Sequence, residues 1–290
     1  MTQSATPSWR RRAARDPQRF HSPAVRNLAR DLGVDPATIP GRGLGGRVTR
    51  EDVAESAAGR IPANGGARDE VVPFDNIRRR TAAALLASKQ TIPHALEVVA
   101  ADYSAIEAAR RPAHLTALPF VARAVVDALR EFPRMNATTT ADGTAIAVGR
   151  AVHLGIAVDL DFHGLVVPVV HDADGLRLRA LATAIHDVAE RARGRKLVPD
   201  DLAGGTFTIT NPGASRTWIS FPVINRPQVG ILATDGVSKQ VVATDGGLAI
   251  APVGRLCCAF DHRALDGAYA GAFLRRVREI VETRDWASEL

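Results

Sequence analysis

Apolar residues recur at helical spacing over 76–89, 101–111, 117–132, 178–194 and 267–284, and the last of these segments is strongly amphipathic. Strand-like apolar runs occupy 93–100, 151–159, 164–170, 206–210, 228–234, 237–243 and 254–260. These strands do not alternate strictly with the helices, and several follow one another late in the chain. That order predicts an α/β sandwich with a mixed sheet over residues 71–290 rather than a doubly wound nucleotide fold. Consistent with this, no G-x-G-x-x-G stands between a strand and a helix; GRGLGG falls elsewhere, in the N-terminal quarter.

Residues 21–58 carry a different pattern. Val25, Leu28, Ala29 and Leu32 recur at helical spacing, Pro23 stands where a first helical turn tolerates it, and Gly33 can end the helix. Thr49, three residues before Asp52, is placed to cap a second short helix. So small an all-α unit has a minimal core and suits docking better than catalysis. Residues 1–20 read as a disordered basic arm, and 59–70, GRIPANGGARDE, as a flexible linker.

Charge sharpens that division. The net charge is +6, and residues 1–30 hold seven arginines against Asp16 alone. Such a segment could meet an acidic protein surface, an anionic membrane or nucleic acid. It lacks the regular aromatic interleaving of a base-stacking platform, so no nucleic-acid partner is expected. No run of 18 apolar residues appears and no apolar segment follows the first arginines, so neither a membrane span nor a leader is expected, and the location expected is cytoplasmic. The two cysteines, Cys257 and Cys258, are adjacent in RLCCAF; they read as small strand fillers, with no metal-ligand spacing.

Among eight histidines, His262 in FDHRALDG is distinctive. It ends an apolar strand and precedes the C-terminal helix, where Asp266 can cap and Gly267 lets the chain turn. That position suits either a preorganised base or a polar turn residue. His94, in TIPHAL, stands at a strand start. In FTITNPG, Thr208 and Thr210 share one strand face before the turn at Asn211. A hydroxyl there can donate to an oxyanion, or can simply belong to a β-branched strand residue.

DHRALDG resembles the DHRxxDG signature of the dihydrolipoamide acyltransferases, the core components of 2-oxo acid dehydrogenase complexes, and the looser HxxxDG of chloramphenicol acetyltransferase. Further segments match in the family's order: Ser88 to His94, EFPRMNA, HLGIAVDLDFHGLVVPVVHDAD and GGTFTITNPG. SPAVRNLARDLGVD and GRGLGGRVTREDV are similar to its peripheral subunit-binding domain. The resemblance implies a chloramphenicol-acetyltransferase-like two-layer sandwich, with His262 as general base, Thr210 as oxyanion donor and Asp266 as organiser of the site. It makes His94, Asn211 and Arg263 candidates for the substrate channel. Arg26, Arg30, Arg42 and Arg47 would present charge to an acidic partner protein. Acyl-CoA would be the co-substrate, with no metal and no tightly bound cofactor, in a homotrimer or a multiple of trimers whose sites lie between subunits.

Two departures shape the expected function. No lysine stands in the D-K-A context of a lipoyl attachment site, and the loops at ASRTWIS and AVDLDFHG differ from the family pattern. The expectation is therefore an acyltransferase moving an acetyl or other short acyl group from CoA to a small-molecule hydroxyl in a biosynthetic pathway. The alternative is the core of a 2-oxo acid dehydrogenase complex served by a lipoyl domain on another chain. A non-catalytic assembly scaffold is the third reading, and the intact DHRALDG and Thr210 argue against it.

Overall fold

A computed structural model describes residues 21–58, 72–212 and 217–290. The expected arm (1–20) and linker (59–70) lie outside the described residues. Chain contacts divide the protein into two compact units, Met1–Pro73 and Phe74–Leu290.

In the first unit, helix α1 (Pro23–Asp31) starts at Ser22, whose hydroxyl accepts from the Val25 N–H at 3.3 Å, with proline in the first turn. Val25 and Ala29 are buried together with Val34, Ile39 and Val53. Leu32, expected on the buried stripe, is 44% exposed because the helix has already ended there. Helix α2 (Arg50–Ala58) begins with a reciprocal cap: Thr49 Oγ1 accepts from the Asp52 N–H at 3.2 Å, and Asp52 Oδ2 from the Thr49 N–H at 2.9 Å. Gly41 is required by close approach, since a Cβ there would lie 2.4 Å from the backbone carbon of Arg47.

The second unit runs α3 (Asn76–Thr91), β1 (His94–Asp102), α4 (Ser104–Arg110), α5 (Leu118–Glu131), β2 (Ala137–Thr139), β3 (Ile146–Val148), β4 (Leu154–Ile156), β5 (Val158–Asp159), β6 (Leu165–Val166) and β7 (Val169–Val170). It continues with α6 (Leu178–Arg193), β8 (Phe207–Thr210), β9 (Gly230–Thr234), β10 (Ser238–Thr244), β11 (Gly247–Asp261) and α7 (Gly267–Thr283). The main sheet has the order β1-β11-β9-β8-β4-β7, with β10 paired to the first half of β11. β4, β8 and β9 are mutually parallel and the other pairings antiparallel, so the sheet is mixed, as the element order predicts.

Alternation sorts β8 cleanly. Phe207 and Ile209 point into the large core, where they meet Phe273 and other side chains of α5 and α7. Thr208 and Thr210 point to the opposite face, on which a smaller cluster of Ile92, Ile224, Ile231 and Ala259 sits. The two cysteines divide the same way. Cys258 is in the large core, whereas Cys257 faces the other side and its thiol donates to Asp235 Oδ2 at 3.2 Å. Both are buried free thiols, and burial pushes the Cys257 pKa up to about 11.

Two differences from the expected elements have local causes. The runs 151–159 and 164–170 each split, because β5 and β6 leave the sheet as a separate hairpin, with Asp161 and Phe162 in left-handed conformation at its tip. Strand β11 begins at Gly247, well before the expected 254, because it turns straight out of β10.

Candidate active site

Strand β11 ends on Asp261, whose carboxylate is fully buried and binds the residue two places on. It accepts from Arg263 N and Nε, both at 3.0 Å, and from Arg263 Nη2 at 2.6 Å. The Asp261 carbonyl also accepts from the N–H groups of Ala264 and Leu265. His262, between the clamped pair, donates its backbone N–H to the Pro93 carbonyl at 3.1 Å. Its backbone is thus held on both sides while its ring faces outward, 5.6 Å from the Phe260 ring. Neither ring nitrogen of His262 has a partner among the described residues, which leaves both for substrate.

Asp266 stands at the N-cap of α7, as expected, but caps through its backbone only. Its carbonyl accepts from Tyr269 and Ala270, and its side chain makes no capping bond. Within the chain, Asp261 braces the histidine's turn. The sequence signal for it was an aspartate ending an apolar strand with an arginine two residues later.

The channel candidates have mixed outcomes. Arg263 has its guanidinium committed to Asp261, which raises its pKa, although it borders a depression of about 220 Å³ with Gly143 and Thr144. The ring of His94 is used twice. Nε2 accepts from the Ile224 N–H at 3.1 Å and Nδ1 lies 2.9 Å from the Ile92 carbonyl, so the proton sits on Nδ1. Burial, with help from Lys89, lowers its pKa and keeps it neutral. His94 is a brace between the start of β1 and the segment at Ile224. Asn211 is exposed just beyond β8.

Thr210 ends β8 beside an apolar cavity of about 370 Å³, walled by α3, the β5–β6 hairpin and residues 222–226. No side-chain partner holds its hydroxyl among the described residues. The neighbouring Thr208 hydroxyl, by contrast, donates to Gln228 Oε1 at 2.6 Å.

Thr210 and His262 of one chain are far apart. Register places Thr210 beside Ala233, and Ala233 beside Cys257, five residues before His262. At about 3.3 Å per residue along a strand and about 4.8 Å between strands, the two residues are separated by roughly 19 Å. They stand at opposite ends of the sheet. One chain therefore assembles His262, Arg263, Asp261 and His94, and leaves Thr210 and Asn211 elsewhere.

In the first unit, Arg26 and Arg30 are exposed one turn apart on α1, with Arg30 3.5 Å from the adjacent Asp31, and Arg47 is exposed in the loop. Arg42 departs from its expected role: its side chain bonds Asp52 at 2.8 Å and also Glu55, so its charge is spent inside the unit. Those bonds from Arg42, with others from the backbone, hold the Asp52 carboxyl well below the usual carboxylate range. Among the described residues, no group of three or more His, Cys, Asp or Glu side chains is arranged to hold a metal.

Comparison with known proteins adds the lineage. The model of the 2-oxoacid dehydrogenases acyltransferase catalytic domain matches residues 66–287, and that of the e3 binding domain matches 19–54. The chain is 37% identical to the lipoamide acyltransferase component of the branched-chain alpha-keto acid dehydrogenase complex of Pseudomonas putida, covering 90% of this chain and 66% of that one. It is 35% identical to the dihydrolipoyllysine-residue acetyltransferase component of the pyruvate dehydrogenase complex of Corynebacterium glutamicum, covering 93% and 45%. It thus spans between about half and two thirds of the length of these relatives. Among solved structures, a probable dihydrolipoamide acetyltransferase from Listeria monocytogenes aligns with a TM-score of 0.70 at 32% identity, over 74% of this chain and 95% of that one. The dihydrolipoamide acetyltransferase of Azotobacter vinelandii aligns with a TM-score of 0.70 at 31% identity, over 73% and 91%. It was investigated for the role of one serine, one histidine and one asparagine in its catalytic mechanism. That serine and asparagine stand at the same intervals from their histidine as Thr210 and Asp266 stand from His262. With both of its units matched and its catalytic fold shared, this chain belongs to the 2-oxoacid dehydrogenase acyltransferase family.

Proposed function

We propose that the protein transfers acyl groups between coenzyme A and dihydrolipoamide, as the acyltransferase core of a 2-oxo acid dehydrogenase complex. This replaces the free hydroxyl acceptor favoured from sequence. The relatives are acyltransferase components of such complexes, and nothing in the geometry singles out an alcohol. The observation that carries the reading is the pairing of two unengaged groups, the His262 ring and the Thr210 hydroxyl, at the intervals of the histidine and serine in the A. vinelandii enzyme.

The chemistry is a thioester exchange. A His262 ring nitrogen takes the proton from the attacking thiol as sulfur adds to the thioester carbonyl carbon. The carbonyl oxygen becomes an oxyanion and accepts from the Thr210 hydroxyl, which has no competing side-chain partner among the described residues. Collapse of the tetrahedral species breaks the other carbon–sulfur bond, and the departing thiolate recovers the proton from the imidazolium. Run in either direction, the cycle returns both residues to their starting state. Because the two residues are roughly 19 Å apart in one chain, a complete site needs His262 from one copy and Thr210 from another. An oligomer supplies this, and one relative of known structure forms the cubic core of the pyruvate dehydrogenase multienzyme complex.

For the first unit, the proposal is docking to an acidic groove on an E3-type partner through Arg26, Arg30 and Arg47, with Arg42 shaping the loop. A cytoplasmic location is part of the same reading. Among the described residues no helix is long and apolar enough to cross a membrane.

The test is a rate comparison. Purified protein with an acyl-CoA and dihydrolipoamide should release free CoA, and His262→Ala should slow release by about 10²–10⁴-fold. Faster transfer to simple alcohols, with dihydrolipoamide inert, would restore the hydroxyl-acceptor reading.

A further inference from the structure

The cavity beside Thr210 carries information about the acyl group. If the oxyanion sits within hydrogen-bond reach of the Thr210 hydroxyl, about 3 Å away, the first carbons of the acyl chain must enter the space that Thr210 borders. That space measures about 370 Å³. A methyl or methylene group takes roughly the 30 Å³ share of a water molecule, so an acetyl methyl leaves most of the cavity unfilled even after the thiol-bearing arm has entered.

The walls are selective as well as roomy. Ala84, Ala87, Ala157, Val167, Val223 and Ile231 present only hydrocarbon. Of the polar lining residues, Thr208 has its hydroxyl committed to Gln228. Asn225 and Arg226 are exposed, so they stand at the rim rather than on the floor. Arg226 is the one cation among the described lining residues. Among the described lining residues no buried positive group faces the cavity to neutralise a carboxylate, and a carboxylate stripped of water without one is strongly disfavoured.

Resting on the acyltransferase reading above, we infer that this cavity receives the acyl chain and selects an uncharged aliphatic group larger than acetyl over both acetyl and succinyl. Ala157 and Ala87 set its width. Each would narrow it by the volume of a larger side chain without introducing charge.

The intact oligomer is assayed with dihydrolipoamide and four donors: acetyl-, isobutyryl-, isovaleryl- and succinyl-CoA. One methylene seated in an apolar pocket changes kcat/KM by about 10-fold or more. The branched donors should therefore exceed acetyl-CoA by at least about 10-fold, with succinyl-CoA the poorest. Ala157→Leu should cut the ratio of branched to acetyl kcat/KM by about 10-fold. Ala87→Val provides the same reading from a second wall should the first variant fail to fold. Turnover with acetyl- or succinyl-CoA preferred overturns the inference, as does a ratio untouched by both variants. Calorimetric binding of the same CoA esters separates the two levels. Absent turnover with branched esters bound most tightly would sink the acyltransferase reading and leave the pocket assignment standing. Absent turnover with no ranking in binding would remove both.

Discussion

Thr208 and Thr210 sit two residues apart on one face of one strand, yet their hydroxyls have different duties. Thr208 is almost wholly buried and donates to Gln228, itself 2% exposed. Removing that hydroxyl leaves a buried amide oxygen without a donor, a loss worth about 1–3 kcal/mol. Thr208→Ala should therefore act first on the melting temperature, and although Thr208 also borders the cavity its kcat loss should stay well below that of Thr210→Ala. Thr210→Ala should do the reverse. The loss of an oxyanion donor costs about 10²–10³ in kcat, with KM and melting temperature little moved, and Thr210→Ser should restore most of the rate. Steady-state kinetics and thermal melts on the three variants check the split. Sequence pattern placed both threonines on the same face and could go no further. What separates them is Gln228, twenty residues along the chain on the far side of a loop, and side-chain periodicity does not encode that contact. Asp261 and Asp266 teach the same lesson: the motif draws attention to the second, while burial and three donated bonds from Arg263 single out the first.

At the level of elements, the long amphipathic helices α5, α6 and α7, the strands β8 and β9 and the second half of β11 are legible, because each buries one regular face in the large core. The pairs β2–β3 and β5–β6 escaped notice or merged with neighbours, since two- and three-residue strands carry too few alternations to register. The segment after β8 carries no regular apolar pattern, and what fixes residues 217–220 within it is a buried carboxylate at the end of β9. Asp235, 3% exposed, accepts from the Thr217 hydroxyl at 2.6 Å, from the Ser220 hydroxyl at 2.7 Å and backbone at 3.1 Å, and from the Cys257 thiol. Burial alone would raise its pKa, but bonds from Thr217, Ser220 and Cys257 outweigh it and hold the carboxyl below its usual value. A depressed folded-state pKa stabilises the protein fully above the ordinary aspartate value of about 3.9 and ceases to do so as pH falls through the folded value. Asp235→Asn should thus melt at a lower temperature than wild type at pH 7, and the gap should shrink in melts taken below about pH 4. A gap independent of pH would mean that the carboxylate's charge contributes nothing to holding the loop.

At the scale of the whole molecule, the catalytic unit taken by itself leaves one apolar helix largely uncovered. α3 is a sixteen-residue helix of which only Ser88 is buried, and Ile77, Leu85 and Leu86 lie exposed along it. A helix in water normally buries an apolar stripe, and the proposed assembly would give this one a surface to pack against. Sequence patterning shows that such a stripe exists, but not whether the covering surface belongs to the same chain. The register of the sheet points the same way, because the proposed base and the proposed oxyanion donor of one chain occupy opposite ends of it. If each site takes His262 from one copy and Thr210 from its neighbour, two dead variants can repair one another. His262→Ala still offers a sound Thr210, and Thr210→Ala a sound His262. In a closed ring assembled at random from equal amounts, a Thr210-bearing copy meets a His262-bearing neighbour of the required kind at one junction in four, so co-expressed or co-refolded variants should recover about a quarter of wild-type activity. The doubly substituted chain mixed with wild type serves as the control for subunit exchange. Recovery near zero, in oligomers shown by mass spectrometry to be mixed, would place both residues of each site in one chain and require a rearrangement that carries one of them the length of the sheet.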